Sequence, residues 1–206
     1  ILNRTLAGSD ASYVILSDGD CIPSRHFVAD HLRNARTGFF LCGRRVDLGP
    51  QLSRMIVEGL WDPTRLDRTA HLLAEAAAGR VRRATVGLRP MRALWRIVPE
   101  TRRGLWGCNA SAWMTDLLRV NGFEAEFEGW GAEDVDLERR LRAAGVESRA
   151  LRGEAAVFHL YHPSRATSLN AALLAERSAS GTVRARSGIR EQLRESTEWD
   201  AERAPA

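Results

Sequence analysis

Short apolar runs alternate with amphipathic stretches along this chain. Ser-Tyr-Val-Ile-Leu-Ser at 12–17 predicts a buried strand that runs into the acidic turn Asp18-Gly19-Asp20. Beyond Pro23, Ser24 is placed to cap a helix with Phe27, Val28, His31, Leu32 and Ala35 on one face, stopped at Gly38. Phe39 to Val46 reads as a second strand. Pro50 and Asp62-Pro63 mark helix starts or loops, and Leu66 to Ala78 predicts a helix ended by Gly79. Residues 80–104 are arginine-rich, carry Pro90, Trp95 and Pro99, and predict a long loop that orders on binding. Thr115 is placed to cap a short helix that Asn121-Gly122 ends. After the glycine turn 129–131, Glu133 to Ala144 predicts an amphipathic helix. Leu137 and Leu141 face inward there, Glu138 pairs with Arg142 outside, and Gly145 is the stop. Ala155 to Leu160 predicts a strand leading into His159-Leu160-Tyr161-His162-Pro163. Helices are expected at 168–178 and 188–195, with a frayed last ten residues. Strand–helix–strand alternation predicts an α/β layer fold.

Composition changes this picture little. The 206 residues suffice for one sizeable domain, with 44% hydrophobic and 27% charged residues, near ordinary globular values. The net charge of +4 is too small to argue for nucleic acid. Every basic residue is arginine, which reads as composition bias or as affinity for phosphate-bearing partners. Cys21, Cys42 and Cys108 form no CxxC pair, so neither a zinc site nor a disulfide framework is expected, and a reducing compartment fits best. No run of about 18 apolar residues or signal-peptide pattern is present. The first residue is Ile1, and the expectation is that an N-terminal part of the folded unit precedes it.

Three groups of residues carry candidate chemistry. Asp18 and Asp20, two apart at the end of a strand, can converge on one hard cation, Mg²⁺ or Mn²⁺. An ordinary Asp-Gly turn accounts for them as well. His159 follows the apolar Ala156-Val157-Phe158 and is a candidate imidazole ligand, with His162 in reserve. Strand capping is the structural alternative for both histidines. Glu133, Asp134 and Asp136 crowd a first helical turn, where acids oppose the helix dipole without any further role. Trp130 on its glycine turn suits the apolar face of a sugar, and a carboxylate beside it can act as general base toward a sugar hydroxyl.

Together these motifs resemble the family 2 glycosyltransferases, in particular those with a galactosyltransferase-like C-terminal half. The resemblance rests on Ser17-Asp18-Gly19-Asp20-Cys21-Ile22-Pro23, which looks like a DxD motif after its strand. It rests also on Gly107-Cys108-Asn109-Ala110-Ser111, on Asn121-Gly122-Phe123-Glu124, above all on residues 129–137, and on residues 158–163. It covers roughly residues 10–165 and implies a GT-A-type mixed sheet flanked by helices, here lacking the first strands of the nucleotide-binding half. The implied catalytic domain is 1–165. Within it, 1–49 is the remainder of the nucleotide- and metal-binding half, 50–105 a variable insert, and 106–165 the acceptor and catalytic half. Residues 166–206 are a helical extension.

The resemblance further implies an inverting transfer from a nucleotide-diphosphate sugar, a UDP-sugar, to a glycan or lipid-linked acceptor in surface polysaccharide synthesis, assisted by Mn²⁺ or Mg²⁺. Asp20 and His159 would hold the metal, with Asp18 on the ribose or in the metal shell. Asp134 would be the base, and Glu133 a partner of acceptor or donor sugar. Trp130 and Gly131 would meet the acceptor, and Trp106 and Asn109 would line the donor pocket. One base with direct displacement implies inversion. The expected location is cytoplasmic, peripheral at the inner face of the membrane. There Arg92, Trp95, Arg96, Arg102, Arg103 and Trp106 are candidate contacts, a lid loop over the donor site being the alternative. Two rival readings are an inactive glycan- or nucleotide-binding module and a metal-dependent phosphodiester hydrolase.

Overall fold

The computed structural model describes residues 1–89, 104–129, 131–163 and 170–194. The fold is mixed α/β, with two four-stranded sheets flanked by helices, consistent with a GT-A-like domain. The chain forms two compact units. One comprises 1–14, 112–147 and 165–206, the other 15–111 and 148–164. These are not the segments expected from sequence, since each unit is assembled from distant stretches.

The second unit holds the sheet of β2 (Cys21–Pro23), β8 (Val157–His159), β4 (Arg45–Leu48) and β5 (Val81–Arg82), in that order. β8 pairs antiparallel with β2 and parallel with β4. The register aligns Ile22, Phe158 and Val46 in one row and Cys21, His159 and Asp47 in the next. Successive strand residues point to opposite faces. The first row therefore enters an apolar cluster with Leu48, Leu52, Leu66, Leu72 and Val81. Cys21 and Val157 enter another, with Phe27, Leu41, Cys108, Leu151 and Ala155. β8 is central and buried throughout, as a strand covered on both faces should be.

The other sheet has the order β1 (Tyr13–Leu16), β6 (Ala110–Trp113), β3 (Phe39–Cys42), β7 (Glu147–Ala150). The unit boundaries run through β1, β6 and β7. The strand expected to be buried, β1, is half-buried because it lies at a sheet edge. The strand expected at 39–46 is two strands in two sheets. The break falls at Gly43, where any Cβ would lie 1.8 Å from Oδ1 of Asn109. The backbone can pass that side chain only without one of its own.

Helix α2 (Phe27–Asn34) is not capped by Ser24, whose carbonyl instead accepts from Phe27 N–H. Its buried face is Phe27, Asp30 and His31; Phe27 and His31 are inside as expected, whereas Val28 and Leu32 are exposed. Asp30 accounts for the rotation. Its fully buried carboxylate accepts from Ala155 N–H at 2.8 Å and from Arg89 at 2.5 Å, and also bonds Arg33. Burial raises its pKa, but the Arg89 and Ala155 hydrogen bonds outweigh that, so it lies below the usual carboxylate range. Helix α3 (Pro50–Val57) starts with proline at its first turn, as expected. The helix expected from Leu66 is a 3-10 turn, Pro63–Asp67, followed by α4 (Thr69–Ala77).

The first unit contains α1 (Leu2–Ala7), α5 (Met114–Arg119), α6 (Glu133–Ala143), α7 (Asn170–Ala179) and a helical turn at 189–194. Thr115 does not cap α5, which begins one residue earlier after Trp113. Asn121 and Gly122 end it with φ of 64° and 68°. α6 has the expected limits, its Leu137 and Leu141 are fully buried, and Glu138 meets Arg142 at 2.8 Å. Asp136 is fully buried and bonds Arg140 Nε at 2.7 Å. Arg140 also donates to the carbonyls of Val120 and Gly122, tying α6 to the end of α5.

Candidate metal centre and glycine turn

The acidic tip lies in the second unit, immediately before β2. Cys21 N–H closes the turn on the Asp18 carbonyl, and Leu160 N–H bonds the Asp20 carbonyl at 2.9 Å. That second bond holds the tip against the end of β8. The side chain of Asp20 then has His159 Nε2 at 3.5 Å and His162 Nε2 at 3.3 Å from one carboxylate oxygen. The two imidazoles meet edge to face with centroids 5.1 Å apart. Asp20, His159 and the reserve His162 are thus brought together.

Sequence reasoning missed two members of this group. Cys21 Sγ, an Asp20 oxygen and a His159 nitrogen lie within 4.8 Å of one another, and so do Cys21, Cys108 and Asp18. Cys21 stands opposite His159 in the β2–β8 register. Its proximity to the DxD was visible, but nothing in the spacing signals the approach of Cys108. Arg45 is the third missed residue. Its charge acts on Asp18, His159 and Cys108.

The electrostatics describe a cluster suited to a cation. Asp18 is surface-accessible, yet partial desolvation by its neighbours and then the nearby Asp20 push it above the ordinary carboxylate value. Burial and then Arg45 hold His159 below its ordinary value, so its ring is neutral and has a lone pair to offer at neutral pH. Carboxylate oxygens with imidazole nitrogen are donors that Mn²⁺ and Mg²⁺ accept, so the residues present fit a divalent ion.

Trp106 and Asn109, the expected donor-pocket residues, have other partners here. The Trp106 ring is half-buried with the guanidinium of Arg44 4.7 Å from its centroid, and those of Arg83 and Arg45 at 5.4 and 5.5 Å. Asn109 is 0% exposed. Its amide donates to the Arg44 and Ala155 carbonyls, and its oxygen lies 3.2 Å from His31 Nε2. That amide is a brace between the broken strands, not a group open to a donor. His31 Nδ1 lies 2.7 Å from the Ser111 hydroxyl, and burial pushes the imidazole down to about 4.

The glycine turn and its acids belong to the first unit. Gly129, Gly131 and Ala132 have φ of 75°, 101° and 75°. Asn170 pins the turn by donating to the Gly131 carbonyl at 2.7 Å and the Glu128 carbonyl at 3.1 Å. Trp130, the expected sugar-stacking residue, lies outside the described residues. Glu133 has a buried Oε2 without a hydrogen-bond partner among the described residues. Asp134 is half-buried on the first turn of α6. Asp136 is committed to Arg140 and Arg139. Asn121 and Glu124, two residues of the motif 121–124, reach into the C-terminal segment. Asn121 donates to the Ala185 carbonyl, and Glu124 accepts from Arg186 N–H and Ser187 N–H and pairs with buried Arg177.

A family model described as the N-terminal domain of galactosyltransferase matches residues 98–163. With the fold, this match over about a third of the chain supports a glycosyltransferase-type domain. Among individual proteins, the chain is similar to validoxylamine A glucosyltransferase of Streptomyces hygroscopicus subsp. jinggangensis, 46% identical over 41 residues. That alignment covers 20% of this chain and 10% of the relative. It is also similar to human chondroitin sulfate synthase 3, 42% identical over 50 residues, covering 24% of this chain and 5% of the relative. The chain spans a tenth or less of the length of these curated relatives.

Proposed function

We propose that this chain carries the catalytic part of an inverting, metal-assisted glycosyltransferase that moves a sugar from a UDP-sugar to a glycan or lipid-linked acceptor in surface polysaccharide synthesis. The observation that carries the reading is the approach of His159 and His162 to one oxygen of Asp20, 3.5 and 3.3 Å away, at the end of a buried strand. The galactosyltransferase-type match, which includes His159 and His162, supports it.

A divalent ion bound there, Mn²⁺ or Mg²⁺, supplies charge neutralisation for a departing diphosphate. Asp20 and His159 hold it, with His162 and Asp18 adjoining. Arg45 adds fixed positive charge next to these groups. Asp134 is assigned the acceptor hydroxyl's proton, and Glu133, with a buried carboxylate oxygen left for a ligand, is assigned a sugar hydroxyl. Trp130 and Gly131 remain the acceptor-side assignments, and Trp106 the donor-side one.

The proposal includes a cytoplasmic location, peripheral at the inner face of a membrane. Among the described residues no helix is long and apolar enough to cross one. The arginines of segment 88–106 are the candidate contact, and most of that segment lies outside the described residues. Vesicle co-sedimentation unchanged by removal of those arginines would end that part of the proposal.

The test of the main reading is a panel of sugar nucleotides with Mn²⁺ on the full-length parent, read by nucleotide release and by glycan product. Turnover that vanishes with chelator and returns with metal is expected. Nucleotide released into water without glycan product favours a hydrolase, and binding without release favours an inactive module. Either result overturns the proposal.

A further inference from the structure

The cysteines do not belong to the expected metal chemistry, yet two of them stand in its midst. Cys21 is shared by both ligand groups, Asp18–Cys21–Cys108 and Asp20–Cys21–His159, in each of which the donor atoms lie within 4.8 Å of one another. All three cysteines are free, and Cys42 is in neither group. Both groups fall within one unit of the fold. The placement follows from the sheet. Cys21 opens β2 directly across from His159, so the DxD turn and the end of β8 must converge on its sulfur. Cys108 enters the same buried cluster as Cys21 from the segment before β6.

The donor atoms decide what such a site prefers. Carboxylate oxygens alone suit Mg²⁺ or Mn²⁺, whereas thiolate with imidazole suits zinc. Four ligands around zinc at about 2.0–2.3 Å sit roughly 3.5–4 Å apart. Groups already within 4.8 Å need only small side-chain adjustments to close on one ion. We propose that Cys21 and Cys108, with Asp18, make this cluster a zinc-selective site, so that the metal it retains most tightly is a thiophilic one and not Mn²⁺. The inference deepens the proposed function and rests on it for placing a metal at this tip. Cys21, Cys108 and Asp18 bind Zn²⁺, which leaves its fourth position open. Mn²⁺ uses the oxygen and imidazole donors only, among them Asp20.

The test uses the full chain under reducing conditions, titrated with Co²⁺ as a spectroscopic substitute for Zn²⁺. A sulfur-to-cobalt charge-transfer band, lost on addition of one equivalent of Zn²⁺, is expected. Competition with a chromophoric chelator should show Zn²⁺ bound at least about a hundredfold more tightly than Mn²⁺, following the affinity order of divalent metals. Cys21→Ser and Cys108→Ser should each weaken Zn²⁺ by about tenfold or more and leave Mn²⁺ affinity unchanged. Cobalt bound without the sulfur band overturns the inference on the unmodified protein, whatever the variants do. A sulfur band in a protein that transfers no sugar sinks the proposed function and leaves this inference standing. Transfer without the band does the opposite.

Discussion

The tip at Asp18–Asp20 and the turn at Glu133–Asp136 present similar runs of acid to the reader of the sequence, and the fold treats them differently. At the tip, Asp18 is exposed, Asp20 retains 39% side-chain exposure, and the near neighbours are two imidazoles and two thiols, all of them metal donors, while the nearby cation Arg45 is itself paired with Asp47. On the helix, Asp136 is fully buried and matched by Arg140, whose Nη1 donates to two backbone carbonyls. Glu124 is likewise neutralised by Arg177 and backbone N–H groups. A carboxylate beside donors of lone pairs awaits a cation, whereas one beside guanidinium already has its cation. The partner's chemistry, and not the density of acids, separates site from scaffold.

The largest effect that can sharpen this contrast is on rate. Asp134→Asn should lower turnover by about 10²–10⁴-fold with an unchanged melting curve, the range for loss of a positioned base. A variant that transfers sugar like the parent removes Asp134 from the reaction. Asp136→Ala should act the other way, on stability and not on chemistry. It leaves Arg140 buried and unpaired, at a cost of about 3–5 kcal/mol in denaturant unfolding. Asp136→Leu with Arg140→Met should recover only part of that, because the carbonyls of Val120 and Gly122 lose their donor.

His31 tests the scaffold by pH. Its folded value of about 4 lies below the ordinary 6.5, so the unfolded chain takes up the proton first as pH falls. Stability is fully present above 6.5 and falls by about 3 kcal/mol as pH drops toward 4. A flat urea-unfolding profile across that window contradicts a neutral buried imidazole. The smallest effect is at the strand break. Gly43→Ala should cost about 1–3 kcal/mol, since the new methyl must displace the Asn109 amide. Wild-type stability there would mean that Asn109 can yield.

Local signals in the sequence located much of this. The stops at Gly79, Asn121-Gly122 and Gly145, the inward leucines of α6 and the acidic tip after the strand β1 depend on neighbours in the chain and were legible. What was not legible depends on distant residues. The buried face of α2 is chosen by Asp30 because Arg89 and Ala155 come to meet it. Val28 and Leu32 could not reveal that. The split of 39–46 into two strands depends on Asn109, and the thiol partner of Cys21 comes from the other end of the second unit's main segment.

The clamp made by Asn121 and Glu124 also has a consequence for synthesis. Every residue of the second unit has been made once translation passes Ser164. The carboxylate of Glu124, by contrast, must await Arg177, Arg186 and Ser187, and Asn121 must await Ala185. A nascent chain stalled between these points would hold a complete second unit while the partners of Glu124 and Asn121 in the first unit are still missing. A chaperone that recognises such half-built surfaces would therefore engage this protein in the interval of about 1–5 seconds between those points, given elongation at about 5–20 residues per second.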